Sequence, residues 1–295
     1  MQGASRAMEQ AGERMSKAGK KMTTSLTLPL LGIAGAGVKI AADFDASMRK
    51  IVGLVGIPIE QVNEWREDVR HLGVQYGASA KEAADALFFI TSAGLRGAEA
   101  METLEVALAA SAAGMGEVKV VADAATSAMN AYSVAGLTAT RATEILTAGV
   151  RMGKLESEQL APVMGRITGT AAALNVSFED VVGTLAVFSR TGTQAAEGAT
   201  QLLSMMSSLL GTSKEGEEAL IGEGLSLEKL RDIAAKPGGL LQVMRLLNRT
   251  FKGNQEALKS VIPNLRAFRG VMNALAQDTE AVDFVMQGVR DSVGI

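Results

Sequence analysis

LESEQLAPVMGRITGTAAALNVSFEDVVGTLAVFSRTGTQAAEGATQLLSMMSSLL, residues 155–210, carries two or three amphipathic helices whose apolar residues are almost all small or medium. Within it, Ser177-Phe178-Glu179-Asp180 has the Ser-x-x-acid form of a helix start. The serine oxygen accepts an orphan backbone N–H, and the acid favours the positive end of the helix. Gly192 stands where a left-handed cap would end that helix. The spacing predicts a helix over 177–191, with Val181, Leu185 and Phe188 as its buried stripe.

Ser79-Ala80-Lys81-Glu82 opens a helix of the same design, which carries Leu87 and Ile90 and stops at Gly94. One constant shift of numbering lands Ser79 on Ser177, Leu87 on Leu185, Gly94 on Gly192 and Glu99 on Glu197. A degenerate internal duplication would give this match, and so would any two capped helices of equal length.

Working outward, the chain reads as helix after helix: 38–53, 59–72, 79–93, 97–113, 117–135, 138–152, 157–174, 177–191, 194–210, 226–236, 238–251, 254–262, 264–276 and 278–291. Pro162 inside one of them should kink it or begin a new helix. No stretch shows sustained period-two alternation, so a sheet is not expected. The short connections favour antiparallel pairs. The expected fold is all-α: multi-helix antiparallel hairpins packed as a helical bundle or irregular helical stack, with an N-terminal extended or coiled-coil-like helix.

The expected organisation is an N-terminal helix and apolar hinge over 1–37 and a main helical core over 38–211. A Gly- and Glu-rich linker over 212–226 and a smaller C-terminal helical part over 227–295 follow. In the first segment Met8, Met15 and Met22 are seven apart. That spacing fits either a short coiled-coil seam, implying self-association, or a surface helix covering apolar ground. Leu26 to Ala42 is the most apolar run, but it is short for a bilayer, broken by Pro29 and three glycines, and interrupted by Lys39.

Aromatic residues make up only 4% of the chain, so the core must be built from Ala, Leu, Val, Ile and the 15 Met. The formal charge of −3 gives no global attraction to a phosphate backbone. With no cysteine and the single histidine His71, thiol chemistry and Cys/His zinc sites are excluded. His71 sits in Glu67-Asp68-Val69-Arg70-His71 without a nearby nucleophile or orienting partner, and reads as an exposed or capping residue. Glu99, Glu102 and Glu105 share one helical face, which reads as a solvated acidic surface rather than a carboxylate pair.

Gly149-Val150-Arg151-Met152-Gly153-Lys154-Leu155 fails as a phosphate loop on spacer length, on the missing Ser/Thr after Lys154 and on the absent strand. Gly32 to Gly37 likewise lacks the order of a dinucleotide fingerprint. Arg266 and Arg269 flank Phe268 in a small basic face, where the Phe reads as core. No catalytic, cofactor-binding or metal-ligating residue is assigned, and the residues by themselves describe a helical interaction or structural protein.

Five stretches occur in a telling order: Ala42-Asp43-Phe44-Asp45-Ala46-Ser47-Met48; Leu72-Gly73 with Ser79 to Leu87 and Thr91-Ser92-Ala93-Gly94-Leu95; Asn130-Ala131-Tyr132; Ala171 to Asp180 with Gly192, Gly198-Ala199-Thr200 and Leu202-Leu203; and Ile262-Pro263-Asn264-Leu265-Arg266-Ala267. Together, over 38–275, they resemble the core region of the phage tail tape measure protein family. The family more usually has Gly-Thr where this chain has Gly-Ala-Thr.

The resemblance implies a non-enzymatic virion structural protein of the phage tail, assembled in the host cytoplasm. It would lie in the tail tube or at the tail tip, with roles in tail assembly, tail length determination and DNA ejection. It further implies a homo-oligomer whose partners are the tail tube protein, tail tip or baseplate hub proteins and tail assembly chaperones. Transient contact with the host membrane, and contact with the genome end in the tail lumen, belong to the same expectation. At 1.5 Å of rise per residue one unbroken helix of this length would span about 440 Å. Glycine-broken helices cannot form one rod, so the chain reads as the compact core region, or an excerpt of a longer protein, and not as the measuring rod. The alternatives are a membrane-active ejection module inserting 26–42 into the host envelope, and a cell-wall lytic enzyme using Glu99 and Glu102.

Overall fold

The computed structural model describes residues 28–155, 157–252 and 254–292. The seam at Met8, Met15 and Met22 lies outside them. Among the described residues there is no strand. The helices are α1 Leu28–Lys50, α2 Ile59–Gln75, α3 Ala80–Ser92, α4 Gly97–Ala110, α5 Val118–Ala131, α6 Ala139–Met152, α7 Ser157–Ala173, α8 Phe178–Arg190 and α9 Ala195–Leu210. They continue as α10 Lys214–Gly222, α11 Leu227–Ala234, α12 Gly239–Thr250, α13 Gln255–Val261, α14 Leu265–Leu275 and α15 Thr279–Arg290.

Local signals place most of these elements. Ser79 caps α3 in a full capping box: its side chain accepts the Glu82 N–H, and the Glu82 carboxylate accepts the Ser79 N–H at 2.8 Å. That N–H and the Ser79 hydroxyl hold the Glu82 carboxyl below its ordinary range. Ser177 caps α8 with its side chain alone, accepting the Asp180 N–H, and the chain leaves α8 through Gly192 at φ 89°.

Two expectations are corrected and a third, at Pro162, is narrowed. The hinge before Val38 is helix, since α1 is continuous from Leu28. Pro29 is its second residue, where the missing N–H has no intrahelical partner to lose. No new helix begins at Pro162: α7 runs through it. Pro162 is exposed, so the carbonyl it leaves unpaired can be met by water. The stretch 212–226 contains α10, capped by Ser213 and packed on α13. Gly216, which reads as a linker glycine, lets α10 approach so closely that a Cβ there would overlap the Ser260 carbonyl.

Packing follows an i, i+2 rule. From α2 to α9 consecutive helices lie against each other, and from α1 to α7 each helix also lies against the helix two positions on. Two layers result: α1, α3, α5, α7 and α9 in one, α2, α4, α6 and α8 in the other. At the C-terminal end α14 packs on α9 and extends the first layer, while α15 packs on α8 and α6 and extends the second. α3 and α8, which the numbering shift superposes, therefore belong to opposite layers. Their likeness lies in capping and length, not in their place in the stack.

One core runs through both layers, from Phe44, Met48 and Ile51 through Leu87, Ile90, Leu104, Leu108, Ile145, Leu146 and Met164 to Phe178 and Phe188. Alanines such as Ala83, Ala122, Ala125 and Ala128 let helices approach closely, as the scarcity of aromatics requires. Buried threonines are satisfied within their own helices: Thr91, Thr126, Thr143 and Thr184 each donate to the carbonyl four residues back. No helix among the described residues is long and apolar enough to cross a membrane.

A candidate junction site around Asp180

α8 is the most enclosed helix, touching α6, α7, α9, α12, α14 and α15. Its first turn carries a charge into this interior. Asp180, whose N–H is capped by Ser177 Oγ at 3.1 Å, has no solvent exposure. Its carboxylate accepts the Gly238 N–H at 3.0 Å and the Gly239 N–H at 3.1 Å from the turn between α11 and α12. Arg290, at the end of α15, donates to it from Nη2 at 3.1 Å.

Burial pushes the Asp180 carboxyl up from its ordinary value, against the pull of Gly238, Arg290 and Gly239. The Arg290 carbonyl in turn accepts Arg141 Nη2 at 2.6 Å. Arg141 also donates to the Ser292 carbonyl and pairs with Glu179 at 3.3 Å and Glu144 at 3.4 Å. One polar network thus joins the starts of α6 and α8, the turn before α12 and the end of α15. Every oxygen of Asp180 is engaged and none meets water, so the group is built to lock helices together rather than to exchange protons with a substrate.

Beside the junction, the Tyr132 hydroxyl donates to the Val176 carbonyl at 2.9 Å, and its ring rests 5.8 Å from that of Phe178. This fixes the α7–α8 turn, in which Asn175 takes a left-handed conformation at φ 53°. Burial pushes the Tyr132 phenol far up.

The residues singled out from the sequence fall elsewhere. Glu99, Glu102 and Glu105 are exposed on α4, and the Tyr76 hydroxyl donates to Glu105 at 3.1 Å. The exposed His71 shares a shallow groove with Asp68, Glu102 and Glu105, an association that sequence spacing does not show. No group of metal-ligating side chains occurs among the described residues. Gly32 to Gly37 is helical backbone inside α1.

Gly149 serves packing rather than phosphate binding: a Cβ there would overlap Val182 Cγ1 on α8. Gly149→Ala is expected to cost about 1 to 2 kcal/mol in chemical denaturation, an overpacking penalty partly offset by better helix propensity. Adding Val182→Ala, which removes the opposing methyls, should recover part of that loss. A neutral Gly149→Ala would show that α6 and α8 do not approach this closely. Asp180 itself was readable only as a capping acid; its partners lie 58 to 110 residues further on, where no local signal points.

The profile of the family described as phage-related minor tail protein matches residues 66–264, from within α2 to the residue before α14. The chain is 22% identical over 299 residues to a tape measure protein of Pneumococcus phage Dp-1, an alignment covering 96% of this chain and 26% of that protein. It is 22% identical over 295 residues to a probable tape measure protein of Clostridium phage phiCD119, covering 95% of this chain and 31% of the relative. No solved structure matches it. This chain spans about a quarter to a third of the length of these curated relatives. With more than half of its residues matched by the family profile, and the family's motifs in order along it, the chain belongs to the phage-related minor tail proteins, the family of the phage tape measure proteins.

Proposed function

We propose that this chain is the folded core region of a tape measure protein, a structural and non-enzymatic component of the phage tail that organises assembly while other parts of the protein supply the measured length. The supporting observation is that the family match, 66–264, falls on a layered stack of short helices. A stack of this kind is compact, whereas a ruler must be extended. Its partners in this reading are other tail components, including tube, tip and assembly chaperone proteins, and its site is the virion.

Electron microscopy of tails from phage lacking 66–264 tests the reading. The expected result is loss of completed tails. Completed tails shortened by about 300 Å, the rise of that many helical residues, would make the segment part of the ruler and overturn the proposal.

A further inference from the structure

α2 and α4 enclose a groove of about 400 Å³ with an apolar floor and an acidic rim. Leu72 and Met101, both half-buried, lie at its floor, and the exposed Asp68, Glu102 and Glu105 stand around it with His71. α4 holds no basic residue from Gly97 to Ala110, and the arginines of α2 are turned to other acids, Arg66 to Asp45 and Arg70 to Glu67. Among the described residues no cation pairs with Asp68, Glu102 or Glu105. Such a rim repels phosphate backbones and anionic lipid. No group of side chains among the described residues could hold a metal ion. The chemistry left for an occupant is a basic polypeptide with apolar side chains for the floor.

The chain itself carries one. Residues 1–27 contain five basic side chains, Arg6, Arg14, Lys17, Lys20 and Lys21, against the two acids Glu9 and Glu13. With 29 basic and 32 acidic residues in the whole chain, the remainder is the acidic part. Met8, Met15 and Met22 are spread through the same stretch, and methionine adapts to an uneven apolar floor. The segment is also within reach. Asp45 on α1 pairs with Arg66 on α2, two residues from Asp68, and Leu28 lies about 25 Å of helix back from Asp45. Whatever the angle between α1 and α2, Leu28 is then no more than about 35 Å from the groove. The extended chain from Leu28 back to Lys17 spans about 36 Å. A segment tethered this closely meets the groove at an effective concentration on the order of millimolar, which a separate basic partner does not reach.

We propose that the basic stretch from Arg14 to Lys21 docks in the α2–α4 groove of its own chain. The inference does not depend on the tape-measure reading. Zero-length carbodiimide cross-linking of the full chain, which joins a lysine amine to a carboxylate only where the two touch, tests it. The expected products run as monomer on a denaturing gel and join Lys17, Lys20 or Lys21 to Asp68, Glu102 or Glu105. High salt should suppress them. Links from these lysines to carboxylates scattered over the surface, or groove links confined to a dimer band, would overturn the proposal.

Trypsin gives an independent readout. Cleavage after Arg14, Lys17, Lys20 and Lys21 should be about tenfold slower in the full chain than in a synthetic peptide of residues 1–27, on the scale of three exposed ion pairs. Replacing Asp68 by Asn and Glu102 and Glu105 by Gln should restore the peptide's rate. Replacing the exposed Glu218, Glu223 and Glu228 by Gln removes the same charge elsewhere and should leave the protection intact. Equal cleavage of the full chain and the peptide would overturn the proposal, and so would equal protection in the groove and control variants.

Discussion

Asp180→Ala is expected to destabilise the protein by about 3 kcal/mol, read as a shift of the denaturant midpoint at neutral pH. The substitution takes away the common acceptor of the Gly238 N–H, the Gly239 N–H and Arg290. Two backbone donors lose their partner, that of Gly239 in the buried interior and that of Gly238 at its edge, and a guanidinium loses its counter-charge. The estimate sits at the low end for a broken buried pair because the Arg290 side chain keeps 31% of its surface in water. Arg290→Gln isolates the charge contribution: it leaves the two glycine bonds in place and should cost less. A loss well under 1 kcal/mol for Asp180→Ala would mean that water or a neighbouring group replaces the carboxylate, and that the junction is not a lock.

Gly239→Ala should cost at least as much, about 3 kcal/mol, for a steric reason. A Cβ on Gly239 would sit on the Ile233 carbonyl oxygen and 2.6 Å from that of Ala234. Those atoms belong to the last turn of α11, so no side chain can rotate out of the way, and α12 must withdraw. Withdrawal carries the Gly239 N–H away from Asp180, so the steric loss and the polar loss arrive together. The thermal midpoint should fall by about 5 to 10 °C for a protein of this size. Because both substitutions damage one unit, the double variant Asp180→Ala/Gly239→Ala should lose less than the sum of the two. Strict additivity would separate the carboxylate from the turn it holds.

The helices were legible in the sequence because each is announced locally. α3 and α8 begin at serines followed by acids at the expected distance, and both expected spans agree with the structure to within a residue. α10 was missed because Gly216, Gly222 and Gly224 read as breakers, although Gly216 is there for a close helix crossing. The i, i+2 layering has no local signature at all: it is set by which apolar faces meet once helices form. Asp180 shows the same limit at one residue. An acid in the first turn of a helix normally faces water, and only the long-range approach of Arg290 and the 238–239 turn turns it into a buried anchor. The basic pair Arg266 and Arg269 was visible, but Arg166, distant in sequence, lines a groove with them only in three dimensions.

The reach of the Asp180 network also imposes an order on synthesis. Arg290 follows Asp180 by 110 residues, and Ser292 follows Arg141 by 151. At translation rates of about 5 to 20 residues per second, the carboxylate is made roughly 5 to 20 s before its guanidinium exists. Through that interval the stack from α1 to α9 can form by neighbour contacts, but its interior anchor must stay hydrated, and α8 with it. The nascent protein therefore has a built-in delay: α8 can be sealed only when α15 emerges, so a chain interrupted before α15 carries an open, wet centre.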